Sequence, residues 1–262
     1  MAQDGMVKAH IVQSLHLIGG IEVLALAIKQ LDIENTDIYS LDGSEEELTT
    51  KFAVDELLMK GILFLGKAAG FDWRCIVKLA KQLRQRQVEV IYTHHIGPLI
   101  YGGLAAKLAG IKKHIHIEHD AWHLQSKKNR FFQGIILKIC RPSVVADCQL
   151  VEKMLRRYFP SLPINMIFNG VDVEKFIPGD QLVARQKLDL PLDVPLIGCA
   201  GRLVEVKGQQ GLVKALAKLP QEVHLVLAGD GLCRERLAKL AVQLGVQQRL
   251  HFLGLVSDTV SF

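Results

Sequence analysis

The sequence predicts an α/β fold built on parallel sheets, and three observations predict it. Short β-branched runs alternate with amphipathic stretches of helical period from Val7 onward, the pattern of strands joined by crossover helices. Glycine turns stand where a strand run gives way to a helical one, at Gly19-Gly20, at Gly201 and at Gly229-Asp230-Gly231. The alternation lapses once, around residues 170–193, into a polar stretch with Pro178, Gly179, Asp180 and Pro191. That lapse divides the chain into a domain over residues 1–178, a linker over 179–193 and a second domain over 194–262.

Taken in order, strands are expected over residues 7–13, 37–40, 62–65, 88–92, 114–118, 143–147 and 164–168. Each is a short run rich in Val, Ile and Tyr. Helices are expected over 20–31, 73–86, 99–109, 130–140 and 150–158. In the helix opened by Trp73, apolar Ile76, Leu79, Ala80 and Leu83 fall at steps of three and four, while Lys78, Lys81, Arg84 and Arg86 face away. After the linker come strands at 195–200, 223–228 and 250–253, with helices at 209–219 and 232–244 between them.

The 262 residues are 49% hydrophobic, 23% charged and 6% aromatic, which excludes a disordered chain and a miniprotein scaffold. Lys29, Lys67, Lys107 and Lys138 interrupt the longest apolar runs, short of the ~20 residues that span a bilayer, and the N-terminus lacks a charged-then-apolar signal pattern. Five scattered cysteines, none in a C-x-x-C pair, point to reduced, mostly buried thiols and a cytoplasmic protein. The net charge of +5 is too mild to argue for nucleic acid.

Chemistry is expected where strands end. Arg202 and Lys207 flank the turn after the 195–200 strand; they are either solvated loop cations or a clamp for a pyrophosphate, which a guanidinium fork and an ammonium suit. Gly229-Asp230-Gly231 ends the next strand on the same sheet edge, either as a tight connection or as a second wall of the same crevice. Gly19 and Gly20 follow Ser14-Leu15-His16-Leu17-Ile18, as a plain turn or as a place where a ligand approaches backbone. This is not G-x-G-x-x-G, so a dinucleotide fingerprint is absent.

Histidines cluster at His94, His95, His114, His116, His119 and His123. On a strand, His114 and His116 share a face with Glu118, and His119 lies just past the end. His119 and His123 could ligate a metal, but no H-E-x-x-H helix is present; the competing reading is a histidine that hydrogen-bonds a substrate hydroxyl. Ser126-Lys127-Lys128-Asn129-Arg130-Phe131-Phe132 is either a helix start with two core aromatics or an anchor for an anionic membrane surface.

Four stretches carry a resemblance in order and spacing: Asn169-Gly170-Val171-Asp172 with Phe176, Gly201-Arg202-Leu203-Val204-Glu205 with Lys207-Gly208, Gly229-Asp230-Gly231, and Phe252-Leu253-Gly254. With them the chain resembles the family 4 glycosyltransferases over nearly its whole length. Glu118-His119-Asp120-Ala121-Trp122-His123-Leu124 is similar to the subgroup acting in bacterial cell-surface polysaccharide assembly. The resemblance implies the GT-B fold, with an acceptor-binding and a donor-binding Rossmann-like domain facing across a cleft. It implies sugar transfer from a nucleotide-sugar to a glycan or lipid-linked acceptor, with retention of configuration and without a metal or other cofactor, at the inner face of the cell membrane. By motif, Gly19 and Gly20 approach the donor, Arg202 and Lys207 clamp its diphosphate with Gly229 beside them, Val256 offers backbone to the nucleobase, and His119 contacts the donor sugar or positions the acceptor as the catalytic residue. The family's pair of glutamates separated by seven residues does not occur after Gly254, and the second domain falls short of the ~100–150 residues usual for its kind. The expectation is a truncated enzyme; a nucleotide- or partner-binding remnant without turnover is the alternative.

Overall fold

The computed structural model describes residues 5–15, 19–51, 56–256 and 258–262, and divides into two compact units, residues 1–170 and 171–262. His16, Leu17 and Ile18, in the first glycine turn, and Ser257, beside Val256, lie outside the described residues.

The first unit alternates strand and helix: β1 (Lys8–Ser14), α1 (Gly20–Leu31), β2 (Thr36–Asp42), α2 (Glu45–Lys51), α3 (Glu56–Met59), β3 (Ile62–Phe64), α4 (Trp73–Gln85), β4 (Val90–His94), α5 (Ile96–Ala109), β5 (Lys113–Glu118), α6 (Lys127–Cys140), β6 (Ser143–Ala146), α7 (Gln149–Tyr158) and β7 (Ile164–Met166). All seven strands pair in parallel in the order β3-β2-β1-β4-β5-β6-β7. The order reverses between β1 and β4, and the crevice outside the carboxyl ends of those two strands is where such sheets take ligands.

Both faces of this sheet are covered. Ile11, Tyr39 and Ile91 meet Ile76, Leu79 and Leu83 of α4 and Ala105 of α5 in one cluster, while Val12 and Ile38, the alternate residues of β1 and β2, meet Ala25 and Leu26 of α1 and Leu58 of α3 in another. Burial on both faces explains why the strands read as near-continuous apolar runs. Local chemistry sets the helix starts: the Asp72 carboxylate accepts from Arg74 N at 3.0 Å and Cys75 N at 3.2 Å, capping α4.

The second unit holds α8 (Gln181–Lys187), β8 (Leu196–Ala200), α9 (Gln209–Leu216), β9 (His224–Ala228), α10 (Arg234–Gln243) and β10 (Leu250–Gly254). Its three strands pair in parallel in the order β10-β9-β8, and Leu203, Val213, Leu225, Leu227 and Leu237 form the centre of its core. The stretch read as a linker is structured. Asp180 caps α8 through Leu182 N at 2.8 Å and Val183 N at 3.1 Å, and Arg185 donates to the carbonyls of Pro191, Leu192 and Val194. The units divide at Gly170 rather than across residues 179–193.

Of the five cysteines, all free, only Cys75 is buried, where burial pushes its thiol up to about 11. The others are half-buried, so the expectation of mostly buried thiols does not hold.

Candidate functional site

In the second unit the carboxyl edge of the sheet is built from glycine backbone. Leu203 N donates to Asp230 O at 2.9 Å, Cys233 N to Leu203 O at 2.9 Å, and Gly229 N to Gly254 O at 2.6 Å. These bonds tie the loops after β8, β9 and β10 together. A Cβ on Gly229 would lie 2.1 Å from the Gly201 carbonyl oxygen, and its φ of +136° is one that L side chains rarely adopt. Only glycine lets these loops close.

On this edge Arg202 and Lys207 are exposed, and neither side chain has a hydrogen bond or ion pair among the described residues. The Arg202 carbonyl is held by buried Gln209, whose Nε2 donates to it at 2.9 Å. Glu205, between the two cations in sequence, is drawn off by Arg236 at 3.3 Å. The loop therefore presents two cations whose charge is unspent, one on a backbone fixed from beneath. Val256 is half-buried two residues beyond Gly254.

The first glycine turn is different. Gly19 is the residue before α1, extended at φ −134° and ψ 165°, with no side-chain cap. A Cβ there would meet Glu22 Oε2 at 2.3 Å, while Gly20 has nothing within 4 Å. Glu22 thus places a carboxylate beside the turn, which favours the helix dipole and disfavours a phosphate.

Histidines crowd the carboxyl edge of the first sheet in two networks. In one, His10 Nδ1 lies 3.0 Å from His94 Nε2, His94 Nδ1 is 2.9 Å from His119 Nε2, and His119 Nδ1 is 3.0 Å from Asp147 Oδ2. Asn169 Nδ2 also donates to Asp147 Oδ2, at 3.1 Å. A carboxylate only accepts, so with the three rings neutral every tautomer follows: His119 donates to Asp147, His94 to His119, and His10 to His94. The chain then ends in a bare lone pair on His10 Nε2, and that buried atom has no partner. Burial lowers all three rings, His10 to about 4, and keeps the chain uncharged.

The second network centres on Glu118, fully buried. It receives Gln133 Nε2 at 2.7 Å and His95 Nδ1 at 3.1 Å, with His116 Nε2 at 3.3 Å. Against the cost of burial, the bonds from His116 and His95 hold its carboxyl well below the usual range. Gln133 Oε1 in turn takes His123 Nε2 at 2.6 Å. Thr93 Oγ1 bridges His114 Nε2 at 2.9 Å and His116 Nδ1 at 3.1 Å. His114 and His116 share the Glu118 face, as the strand periodicity predicts.

His119 stands at the strand end where the sequence places it, but both its nitrogens are taken by His94 and Asp147, and its side chain is only 7% exposed. Sequence reasoning gave no site role to Asp147, or to Asn169 of the first motif; the parallel order brings Asp147 to His119, and Asn169 bonds Asp147 in turn. Sequence reasoning also passed over His10, whose strand β1 is four strands from β5 in sequence and two in the sheet. Among the described residues no group of three or more His, Cys, Asp and Glu side chains is arranged to hold a metal ion.

Phe131 and Phe132, 65% and 47% exposed, are not core aromatics. With Ile135 and Ile139 they form an exposed apolar stripe on α6, bordered by exposed Lys127, Lys128 and Lys138. Arg130 is occupied, donating to Leu124 O at 2.7 Å and lying over the Tyr158 ring.

Two parallel-sheet units whose carboxyl edges carry the polar groups define a GT-B-like, two-domain α/β protein. Residues 20–175 match the model of Glycosyltransferase Family 4, and residues 180–261 match that of Glycosyl transferases group 1. The chain belongs to Glycosyltransferase Family 4. It is 49% identical over 80 residues to the lipopolysaccharide core biosynthesis glycosyltransferase LpsE of Rhizobium meliloti (strain 1021), covering 30% of this chain and 23% of that protein. It is 27% identical over 186 residues to the GDP-mannose-dependent monoacylated alpha-(1-6)-phosphatidylinositol monomannoside mannosyltransferase of Corynebacterium glutamicum, covering 67% of this chain and 48% of that protein. These matches therefore span less than half the length of either relative. Among solved structures, Anabaena Alr3699/HepE in complex with UDP-glucose has a TM-score of 0.82 at 21% identity, covering 98% of this chain and 71% of that one.

Proposed function

We propose that the protein transfers a sugar from a nucleotide-sugar donor to a glycan or lipid-linked acceptor, with retention of configuration, in the synthesis of a cell-surface polysaccharide or lipopolysaccharide. The observation that carries this reading is the pair of exposed, unpartnered cations, Arg202 and Lys207, on the glycine-built edge of β8 and β9. A departing nucleoside diphosphate gains negative charge in the transition state, and fixed cations stabilise that charge most where they are already oriented. Arg202 supplies a two-pronged donor and Lys207 a point charge, so a metal ion is not required for that role. Gly229 keeps the edge low enough for a phosphate to approach, and the backbone at Val256 is offered to the nucleobase. At Gly19 and Gly20, a phosphate would have to displace the Glu22 carboxylate. His119 acts as a positioning residue through Asp147 and His94. The LPS-core and mannosyltransferase relatives and the UDP-glucose complex of the structural neighbour support this reading.

The acceptor side of the proposal includes a peripheral membrane contact through the α6 stripe, where apolar rings and lysine charge suit an anionic surface. Among the described residues no helix is long and apolar enough to cross a membrane.

The test is turnover with UDP-glucose and GDP-mannose, with and without EDTA, alongside calorimetric titration of UDP and GDP. Transfer that persists in EDTA is expected. Micromolar nucleotide binding without transfer favours the alternative of a binding remnant, and neither binding nor transfer contradicts the proposal. Flotation with phosphatidylglycerol vesicles, against neutral phosphatidylcholine, tests the membrane contact; it is expected to be lost in a Phe131→Ser, Phe132→Ser double variant.

A further inference from the structure

His95 is the one residue of the histidine cluster held in a strained backbone. Its φ of +68° and ψ of +174° lie in a region populated almost only by glycine. It precedes the 14-residue helix α5, yet its side chain makes no capping bond. The strain instead turns the ring back over the end of β5, where Nδ1 meets Glu118 Oε1 at 3.1 Å. Glu118 is immobilised by Gln133 and His116, so a buried carboxylate fixes both the tautomer and the plane of His95. The far nitrogen, Nε2, has no hydrogen bond among the described residues: Asp120 Oδ2 stands 3.7 Å away, beyond bonding distance. The His95 side chain is 25% exposed and that of Asp120 43%. The ring follows β4, one of the two strands at the topological switch point, and Gly97 next to it lies against Gln13 of β1.

We infer that His95 and Asp120 form a clamp for a pair of adjacent sugar hydroxyls, with Glu118 as its positioning residue. With Nδ1 donating to Glu118, Nε2 and the Asp120 carboxylate both accept, so each takes the proton of one of two adjacent hydroxyls on a sugar ring. His119, with both nitrogens spent, is not the ring that meets the sugar. The inference deepens the glycosyltransferase reading and rests on it. The hydroxyls belong either to the transferred sugar or to the acceptor.

The experiment is a set of histidine 15N spectra of the intact chain, titrated separately with UDP, UDP-glucose and GDP-mannose, and with methyl α-glucoside and methyl α-mannoside as acceptor probes. The expected result is a shift of the His95 Nε2 resonance with one sugar-bearing ligand but not with UDP, while His119 stays still. A response to the nucleotide-sugars assigns the clamp to the transferred sugar, and one to the methyl glycosides assigns it to the acceptor. The variant His95→Gly relieves the backbone strain. It is expected to raise the thermal midpoint, leave UDP binding within twofold and lower turnover at least tenfold, with part of the loss restored by His95→Gln. A His95 resonance that ignores every sugar, or His95→Gly turning over as the parent does, overturns the inference. Loss of UDP binding by the parent chain instead overturns the donor-site reading, and the spectra with the methyl glycosides still decide the clamp.

Discussion

The two units share one architecture and arrange their ligand-facing edges in opposite ways. In the first, the polar groups are numerous and bond one another: His10, His94, His119, Asp147 and Asn169 form one chain, and Glu118 collects Gln133, His95 and His116. In the second, the edge is mostly glycine backbone, and Arg202 and Lys207 on it have no side-chain hydrogen bond or ion pair among the described residues. The contrast teaches that a crowd of histidines is not in itself a binding site. What marks one is bonding capacity left over after folding, and by that measure the sparse edge presents more to a ligand than the crowded one. Within the crowded edge, His95 Nε2 and its neighbour Asp120 keep such capacity, with side chains 25% and 43% exposed.

The largest effect is expected from Gly229→Ala. The added Cβ would meet the Gly201 carbonyl at 2.1 Å in a φ region closed to alanine; overpacking and the backbone penalty together cost ~3–5 kcal/mol. Urea denaturation should show the second unit unfolding earlier while the first is unchanged. Arg202→Ala comes next: loss of one preorganised contact to developing charge typically removes ~3–4 kcal/mol of transition-state stabilisation, a fall in turnover of two to three orders of magnitude with weaker UDP or GDP binding. An unchanged dissociation constant would reassign Arg202 to solvated loop.

The first unit should show its closed network through pH. His10 is held at about 4 in the fold, against roughly 6.5 when unfolded. The unfolded chain therefore binds the proton first, so the stabilisation is full above pH 6.5 and is lost as pH falls toward 4. For His10 alone this amounts to about 3 kcal/mol. Burial lowers His94 and His119 as well, with the same sign. His10→Asn keeps a donor toward His94 but does not titrate, and should flatten the slope of unfolding free energy between pH 4 and 6.5; an unaltered slope would mean that the chain is not neutral. The smallest effect is expected from Gly20→Ala. No atom lies within 4 Å of the new Cβ, and a glycine replaced without strain stabilises by ~0.4–1 kcal/mol. Set beside Gly229→Ala, it measures how far the two glycine turns differ.

The parallel sheets, nearly every strand and the helix spanning Gly20–Leu31 were legible in the sequence, because two-faced burial writes itself as alternating apolar runs. Helix α2 escaped although its signal was present: Ser44 Oγ accepts from Glu47 N at 3.2 Å and Glu47 Oε2 from Ser44 N at 3.1 Å, a reciprocal capping box. Asp180 gave the same kind of signal for α8, hidden by the prolines around it. At the site, Arg202, Lys207 and Gly229 could be read because their spacing is local. The engagement of His119 could not, since its partners His94 and Asp147 come from β4 and the end of β6, and only strand order brings these together. The strain at His95 was equally invisible, because no sequence pattern reports a positive φ at a residue that ordinarily avoids it.

The most direct test of the contrast between the edges is calorimetric titration of UDP and GDP into the parent chain, Arg202→Ala and His119→Ala. The account predicts that the parent binds one of these nucleotides, that Arg202→Ala weakens that binding at least tenfold, and that His119→Ala leaves it within about twofold, since His119 spends its bonds inside the first unit. Binding that survives Arg202→Ala and fails in His119→Ala would contradict it.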